Sequence, residues 1–187
     1  MRACRSAASR KAATVANFRT SASTSFRTFK RSGSALLIRE FEPRDNASWA
    51  KMRARLWPHA DEDLAREAQA FAEGKHLPHV TAVLIAEDDA RNTVGFLELA
   101  LRSFSDGCDS MPVPHVEGWY VVPEARGQGA GRALMRAAEE WSIARGYSEL
   151  ASDTEIDNVA SLRAHQACGF AEVERLIKLR KGLSPPS

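Results

Sequence analysis

The sequence has few cysteines and no long hydrophobic run. Its three cysteines, Cys4, Cys108 and Cys168, are widely spaced and form no C-x-x-C pair, so neither a disulfide framework nor a zinc site is predicted. No stretch approaches the ~18 apolar residues of a membrane-spanning helix, and we expect no membrane partner. The histidines also lack a trustworthy metal-ligand spacing, so no metal is expected. A single domain in a reducing compartment, the cytoplasm, is the simplest expectation for 187 residues.

Acidic residues are absent from residues 1–34, which contain eight Lys and Arg among many Ser and Ala. The segment has no bulky aliphatic run, and it is predicted to be a disordered tail, with an organelle transit peptide as the alternative. The rest of the chain carries 18 basic against 24 acidic residues, a net charge of −6. An acidic domain over 35–187 argues against a nucleic-acid partner and favours a cationic one.

Strand and helix signals alternate along residues 35–187. The pattern predicts the order β-α-α-β-β-β-α-β-α-β, a mixed α/β layer fold. Strands are predicted at 35–41, 80–87, 93–102, 115–123, 147–153 and 171–181, and helices after Pro43, over 60–74, from the glycine-rich stretch to Arg145, and over 157–169.

The stretch "VVPEARGQGAGRALMRAAEEW" places three glycines between a predicted strand and a predicted helix. A Walker A loop is excluded because Gly131 is followed by Arg132 and Ala133, and the spacing of the G-x-G-x-x-G dinucleotide fingerprint also fails. Arg126-x-x-Gly129-x-Gly131 remains. Glycines allow close approach of an anion to the backbone, and a helix N-terminus attracts it, so a pyrophosphate site is predicted.

This motif resembles the coenzyme A loop of the GNAT acetyltransferase superfamily. The helix "NVASLRAHQACGF" supports the resemblance, with His165 where the superfamily often has a tyrosine. The resemblance implies a GNAT fold, a mixed and mostly antiparallel central sheet flanked by helices, and acetyl-CoA as co-substrate. His165 is then the candidate acid for the leaving thiolate. The residues implied to bind the cofactor are Val121, Val122, Arg126, Gly127, Gln128, Gly129, Ala130, Gly131, Arg132 and Asn158.

Acetyl transfer to a primary amine requires a group that removes a proton from the ammonium. Glu117 lies on the strand that enters the glycine loop, and Asp153 closes the next predicted strand. Adjacent strands would bring both carboxylates to one cleft, so both are predicted catalytic residues.

A narrower resemblance rests on "RARLWPHADED", "DGCDSMPVPHVEGWYVVP" and "ELASDT", which look like the single-domain aminoglycoside 6′-N-acetyltransferases. It implies that Trp57, Glu117 and Asp153 line the aminoglycoside pocket and that Asp153, alone or with Glu117, holds or deprotonates the 6′-amine. Phe104 stands near the place of a family tyrosine and is a further predicted substrate contact. Antibiotic resistance and a homodimer that exchanges or abuts its C-terminal strands are also implied.

Two other functions remain open from the residues alone. The first is a GNAT enzyme that acetylates a polyamine or a protein amine. The second is a non-catalytic acyl-CoA-binding sensor, which would bind coenzyme A and turn over no amine.

Overall fold

The computed structural model describes residues 27–31, 34–58 and 63–183. In these ranges the chain forms six strands and four helices around one sheet. The strands are β1 (Arg27–Arg31), β2 (Ser34–Glu40), β3 (Ala82–Glu87), β4 (Thr93–Arg102), β5 (Val113–Val121) and β6 (Ala151–Ser152), and the helices are α1 (Asn46–Leu56), α2 (Asp63–Ala72), α3 (Ala130–Ala144) and α4 (Val159–Ala167). None of the described helices is long and apolar enough to cross a membrane.

The six strands lie in the sheet in chain order, and every neighbouring pair is antiparallel except β5 and β6, which are parallel. This agrees with the predicted mixed, mostly antiparallel sheet.

Helices cover both faces of the sheet because the central strands alternate between two apolar clusters. Val83, Ile85 and Phe96 pack with Trp49 of α1 and Ala68 of α2 on one face. The opposite face carries Leu84, Leu97 and Leu99, which pack against α3. Successive side chains of a strand point to opposite faces, so one strand serves both clusters.

Three predicted features differ from the structure, the last of them in part. Residues 27–31 fall within the predicted tail, whereas the structure pairs them with β2, with Arg27 opposite Ile38 and Arg31 opposite Ser34. Residues 1–26, 32 and 33 lie outside the described residues, and the tail prediction for them stays a prediction. At the other end, the strand predicted over 171–181 is wrong, because that segment forms no strand and its apolar side chains are exposed. The predicted strand over 147–153 is confirmed only at Ala151–Ser152.

Candidate active site

A β-bulge in β5 sets the direction of the Glu117 side chain. Glu98 of β4 lies opposite Gly118 and the next residue, Leu99, lies opposite Val116, so Glu117 is the extra residue of β5. A bulge bends its strand and redirects the side chain at that point. On its other side β5 pairs with β6 only at His115 and Val116, so within the described chain the strands part immediately before Glu117.

Arg102 joins the two predicted catalytic carboxylates. Its Nε and Nη2 atoms donate to the two carboxylate oxygens of Glu117 at 2.8 Å each, and Nη1 donates to Asp153 Oδ2 at 3.3 Å. The hydrogen bonds to Glu117 raise the pKa of Arg102, so the guanidinium stays charged. Glu117 and Asp153 therefore do lie at one cleft, as predicted, but with a cation between them.

His115 lies beneath the same carboxylates. Its Nδ1 is 3.6 Å from Glu117 Oε1 and its Nε2 is 3.6 Å from Asp153 Oδ2, while the side chain is only 1% exposed. Burial lowers the pKa of His115, and the charge of Arg102 lowers it further, against the opposing effect of the two carboxylates. The imidazole is therefore neutral at pH 7.

Glu117 and Asp153 open onto a cavity of about 670 Å³. The cavity is large enough for a drug-sized ligand. Its lining residues are Arg53, Leu56, Trp57, Pro58, Leu64, Glu67, His79, Glu98, Glu117 and Asp153. Three of the four predicted substrate residues are thus together, in a lining that contains four carboxylates.

The Trp57 ring owes its place at the cavity wall to Gly118 and Arg53. A Cβ at position 118 would lie 2.7 Å from the Trp57 ring, so only glycine leaves room for it. On its other side the Arg53 guanidinium lies 5.4 Å from the ring centroid, within cation–π distance.

A buried carboxylate, Glu98, holds Arg53 at the back of the cavity. Arg53 Nε is 2.9 Å from Glu98 Oε1, and Arg53 Nη2 is 3.0 Å from Glu67 Oε2. The indole N–H of Trp49 also donates to Glu98, at 2.8 Å. Burial raises the pKa of Glu98 to about 7, although Arg53 and the indole oppose this shift.

The glycine loop lies at the end of β5, as predicted. Gly127 and Gly129 have φ of 74° and 96°, conformations that side-chain-bearing residues rarely adopt. Gly129 is the N-cap of α3, and the first helical bond runs from Ala133 N–H to the Gly129 carbonyl at 3.0 Å. The amides before Ala133 are those that a helix leaves without an internal acceptor.

These residues fit the pyrophosphate of coenzyme A. A Cβ at Gly127 would meet nothing within 4 Å, so the loop is open on that side. A Cβ at Gly131 would lie 3.1 Å from the Trp119 ring, whose buried Nε1 has no hydrogen-bond partner among the described residues. Arg126 and Arg132 are exposed beside this cradle and could neutralise phosphate charge.

Several of the predicted cofactor residues already have partners within the chain. The Arg126 amide donates to the Pro123 carbonyl, and its Nε donates to the Val121 carbonyl at 2.9 Å. The Val122 amide donates to Val94 within the sheet. Asn158 caps α4 by accepting from the Ser161 amide at 3.1 Å. The Gln128 side chain donates to the Glu124 carbonyl, and the Arg132 guanidinium donates to the Ala167 carbonyl. Ala130 is buried as the first residue of α3. Direct contacts of these residues with the cofactor stay predictions.

His165 is the buried residue of α4, and its ring has partners at both nitrogens, one in β6 and one in α4. Its Nε2 lies 2.9 Å from the Ser152 hydroxyl, and its Nδ1 lies 2.9 Å from the Ser161 carbonyl. The ring packs edge-on against Trp119 and Phe170, with centroid distances of 5.2 Å. It does not line the cavity, so its role as a proton donor stays a prediction.

Phe104 is 61% exposed after β4 and does not line the cavity. Its predicted contact with substrate therefore stays a prediction.

Cys108 is a free thiol whose pKa is raised by burial, which agrees with transfer that needs no cysteine nucleophile. Within the described ranges, no group of three or more His, Cys, Asp or Glu side chains could hold a metal ion.

The sequence alone did not single out Arg102, Glu98 or Arg53. Arg102 is 15 residues from Glu117, and only the register of the β4–β5 hairpin, including its bulge, brings them together. A signal for Glu98 did exist, since a carboxylate stands between Leu97 and Leu99 in an otherwise apolar strand.

The model of the Acetyltransferase (GNAT) family matches residues 44–170. An aminoglycoside N(6′)-acetyltransferase type 1 of Klebsiella aerogenes is 45% identical over 151 residues, covering 80% of this chain and 99% of that protein. The protein of the same name from Stenotrophomonas maltophilia is 42% identical over 153 residues, covering 81% and 97%.

Solved structures of similar proteins share the fold. AAC(6′)-Iy in complex with the bisubstrate analogue CoA-S-monomethyl-acetylneamine superposes with a TM-score of 0.70 at 34% identity, covering 79% of this chain and 99% of that one. AAC(6′)-Ih of Acinetobacter baumannii gives a TM-score of 0.70 at 29% identity and covers 80% and 99%.

Proposed function

Because the chain belongs to the Acetyltransferase (GNAT) family, we propose that it transfers acetyl from acetyl-CoA to the 6′-amine of aminoglycosides, which gives resistance to these antibiotics. The observation that carries the proposal is the pair Glu117 and Asp153 at the mouth of a cavity walled by Trp57. An aminoglycoside carries several ammonium groups, and a cavity lining that includes Glu67, Glu117 and Asp153 suits such a polycation.

The carboxylates hold the ammonium and remove its proton. Glu117 is directed by its bulge, and Asp153 approaches from the end of β6, so an amine between them would have an acceptor on each side. The guanidinium of Arg102 has the same charge as the ammonium and binds the same carboxylates. The ammonium must therefore displace Arg102 or share the carboxylates with it. Deprotonation leaves a neutral amine, the form that attacks a carbonyl carbon.

Bound acetyl-CoA supplies the thioester whose acetyl group is transferred. The chain's contribution to its binding is the open loop at Gly127, the N-terminal amides of α3 and the charges of Arg126 and Arg132. We assign His165 as the residue that donates a proton to the leaving thiolate. Its Nε2 lies at the Ser152 hydroxyl.

We also propose a homodimer that uses the C-terminal segment, residues 171–183. This segment forms no helix or strand in the described chain, and Ile177 and Leu179 are 86% and 92% exposed. β6 has one strand partner, β5, among the described residues, so its outer edge could accept a strand from a second copy. We place the enzyme in the cytoplasm, where acetyl-CoA is available.

An amine panel tests the function. Purified protein with acetyl-CoA is given kanamycin, spermidine or a peptide with a free N-terminus, and thiol release is followed. We expect turnover with kanamycin at a kcat/KM at least 100-fold above that of the other amines. A preference for spermidine or the peptide would contradict the aminoglycoside as substrate and identify that amine instead. Binding of CoA without turnover of any amine would contradict acetylation altogether.

A further inference from the structure

His115 is the buried group that faces both carboxylates of the site. One ring nitrogen lies 3.6 Å from Glu117 and the other 3.6 Å from Asp153, just beyond hydrogen-bond distance. The Nδ1 atom is buried and has no hydrogen-bond partner among the described residues. A buried polar atom without a partner is uncommon and calls for an explanation.

The charge state of the ring supplies that explanation. Three charged groups face His115, namely Arg102 from β4, Glu117 from β5 and Asp153 after β6. A neutral imidazole has one N–H and one lone pair, so it can donate to only one of two ionised carboxylates. The other carboxylate then faces a lone pair. One additional proton, on that carboxylate or on the ring, removes the mismatch.

We propose that His115 is a positioning residue that accepts, through Glu117 or Asp153, the proton that leaves the substrate ammonium. This proposal rests on the proposed function. The ammonium N–H bond breaks, its electron pair stays on nitrogen, and an O–H bond forms on the carboxylate. That O–H bond then breaks as an N–H bond forms on the imidazole, and both carboxylates are ionised again.

Storage of the proton on His115 has two consequences. Glu117 and Asp153 keep their negative charge, so they continue to hold the polycationic substrate while its amine is neutral. The imidazolium returns its proton through Asp153, whose side chain is 66% exposed and in contact with water. Deprotonation of the substrate ammonium also favours the imidazolium, because a neighbouring positive charge that would repel it has disappeared.

The pH dependence of kcat/KM for kanamycin tests the proposal. His115→Gln keeps polar contacts but accepts no proton, and His115→Phe fills the site without polar atoms. In the wild-type enzyme we expect an acidic limb set by His115, below pH 6.5 because the pKa of this residue is lowered. In both variants we expect the plateau to fall about 10- to 100-fold and the limb to move at least one pH unit lower, towards the carboxyl range. His76→Gln, an exposed histidine outside the cavity, is the matched control and should keep the wild-type profile.

Each outcome has a distinct meaning. An active variant whose acidic limb does not move would overturn the role of His115, even if its rate is lower. Absence of kanamycin acetylation by the wild-type enzyme would instead overturn the proposed function and, with it, this role. NMR titration of the His115 ring in the wild-type enzyme gives a second readout that needs no variant. A ring already protonated at pH 7.5 would overturn the proposal, and a neutral ring at that pH is expected.

Discussion

Arg102 binds Glu117 through two parallel hydrogen bonds of 2.8 Å, the bidentate arrangement typical of arginine with a carboxylate. The third guanidinium nitrogen reaches Asp153, so a single cation compensates both acids of the site. The substrate ammonium must therefore compete with a charge that the enzyme itself supplies.

This competition predicts opposite effects of Arg102→Met on binding and on catalysis. Without the guanidinium, the carboxylates attract a polycation more strongly, and the dissociation constant for kanamycin should fall about tenfold, or about 1.4 kcal/mol. The same carboxylates hold the ammonium in its charged form more strongly, so kcat should fall. Calorimetry and steady-state rates measure the two effects. Arg136→Met, at an exposed arginine of α3, should change neither. Weaker kanamycin binding in Arg102→Met would contradict the competition.

The glycine loop predicts a separation between folding and cofactor binding. Gly129 at the start of α3 and Gly146 after its end both have positive φ, 96° and 83°. Alanine at either position should therefore destabilise the protein by a similar ~1–2 kcal/mol. Only Gly129→Ala distorts the amides at the N-terminus of α3, so only this variant should lose affinity for CoA, by about tenfold or more in calorimetry. Equal CoA affinity in the two variants would show that the loop does not bind the pyrophosphate.

A buried ion cluster predicts an acid-sensitive stability. Arg39 contacts both Asp45 and Glu87, and all three side chains are almost fully buried. Burial alone would raise the pKa of Asp45 and of Glu87, but hydrogen bonds from Arg39 bring both pKa values below their usual range. The stability that they contribute is thus present above the ordinary carboxyl pKa and is lost as the pH falls through the lowered values.

Arg39→Met should lower the free energy of unfolding by about 3–5 kcal/mol at pH 7, because Asp45 stays buried without its ion-pair partner and Glu87 keeps only the exposed Arg91 and Arg44. The pKa values of both carboxyls then rise, and their protonation removes the buried charge that destabilises the variant. The difference in free energy of unfolding between wild type and variant should therefore shrink as the pH is lowered from 7 to 4. Urea unfolding at several pH values measures this. Arg44→Met, at an exposed arginine near the same Glu87, should cost about 0–1 kcal/mol. A deficit that is constant with pH would contradict the assigned charges.

The exposed C-terminal segment predicts the oligomeric state. Ile177→Glu with Leu179→Glu should convert a dimer to a monomer in analytical ultracentrifugation, since charges replace the apolar side chains that a second copy would cover. Ile143→Glu, at an exposed isoleucine of α3, is the control and should stay dimeric. A wild-type protein that sediments as a monomer would contradict the proposed dimer.

The sequence predicted the elements whose signals are local. The helix predicted after Pro43 is confirmed as α1, and the glycines correctly mark the turn into α3. Glu117 and Asp153 were also correctly expected at one cleft. These features depend only on periodicity, on glycine conformation and on neighbouring strand ends.

Features that depend on a distant partner were not predictable in this way. The contact of Arg102 with Glu117 requires the exact register of a hairpin and its bulge. Residues 171–181 have the apolar content of a strand, but a strand also needs a partner for its backbone groups, and none is present in the described chain. Arg27–Arg31 are the opposite case. This segment is basic, has no aliphatic residues and does not look like a strand, yet it forms one because its backbone pairs with β2.

The most direct measurement compares kanamycin with a kanamycin whose 6′-amine is replaced by a hydroxyl, for the wild-type enzyme and for Asp153→Asn. We expect that the wild-type enzyme acetylates only the 6′-amino compound and that Asp153→Asn lowers its kcat/KM about 100-fold or more with unchanged CoA affinity. Equal acetylation of the two compounds, or full activity of Asp153→Asn, would contradict this expectation.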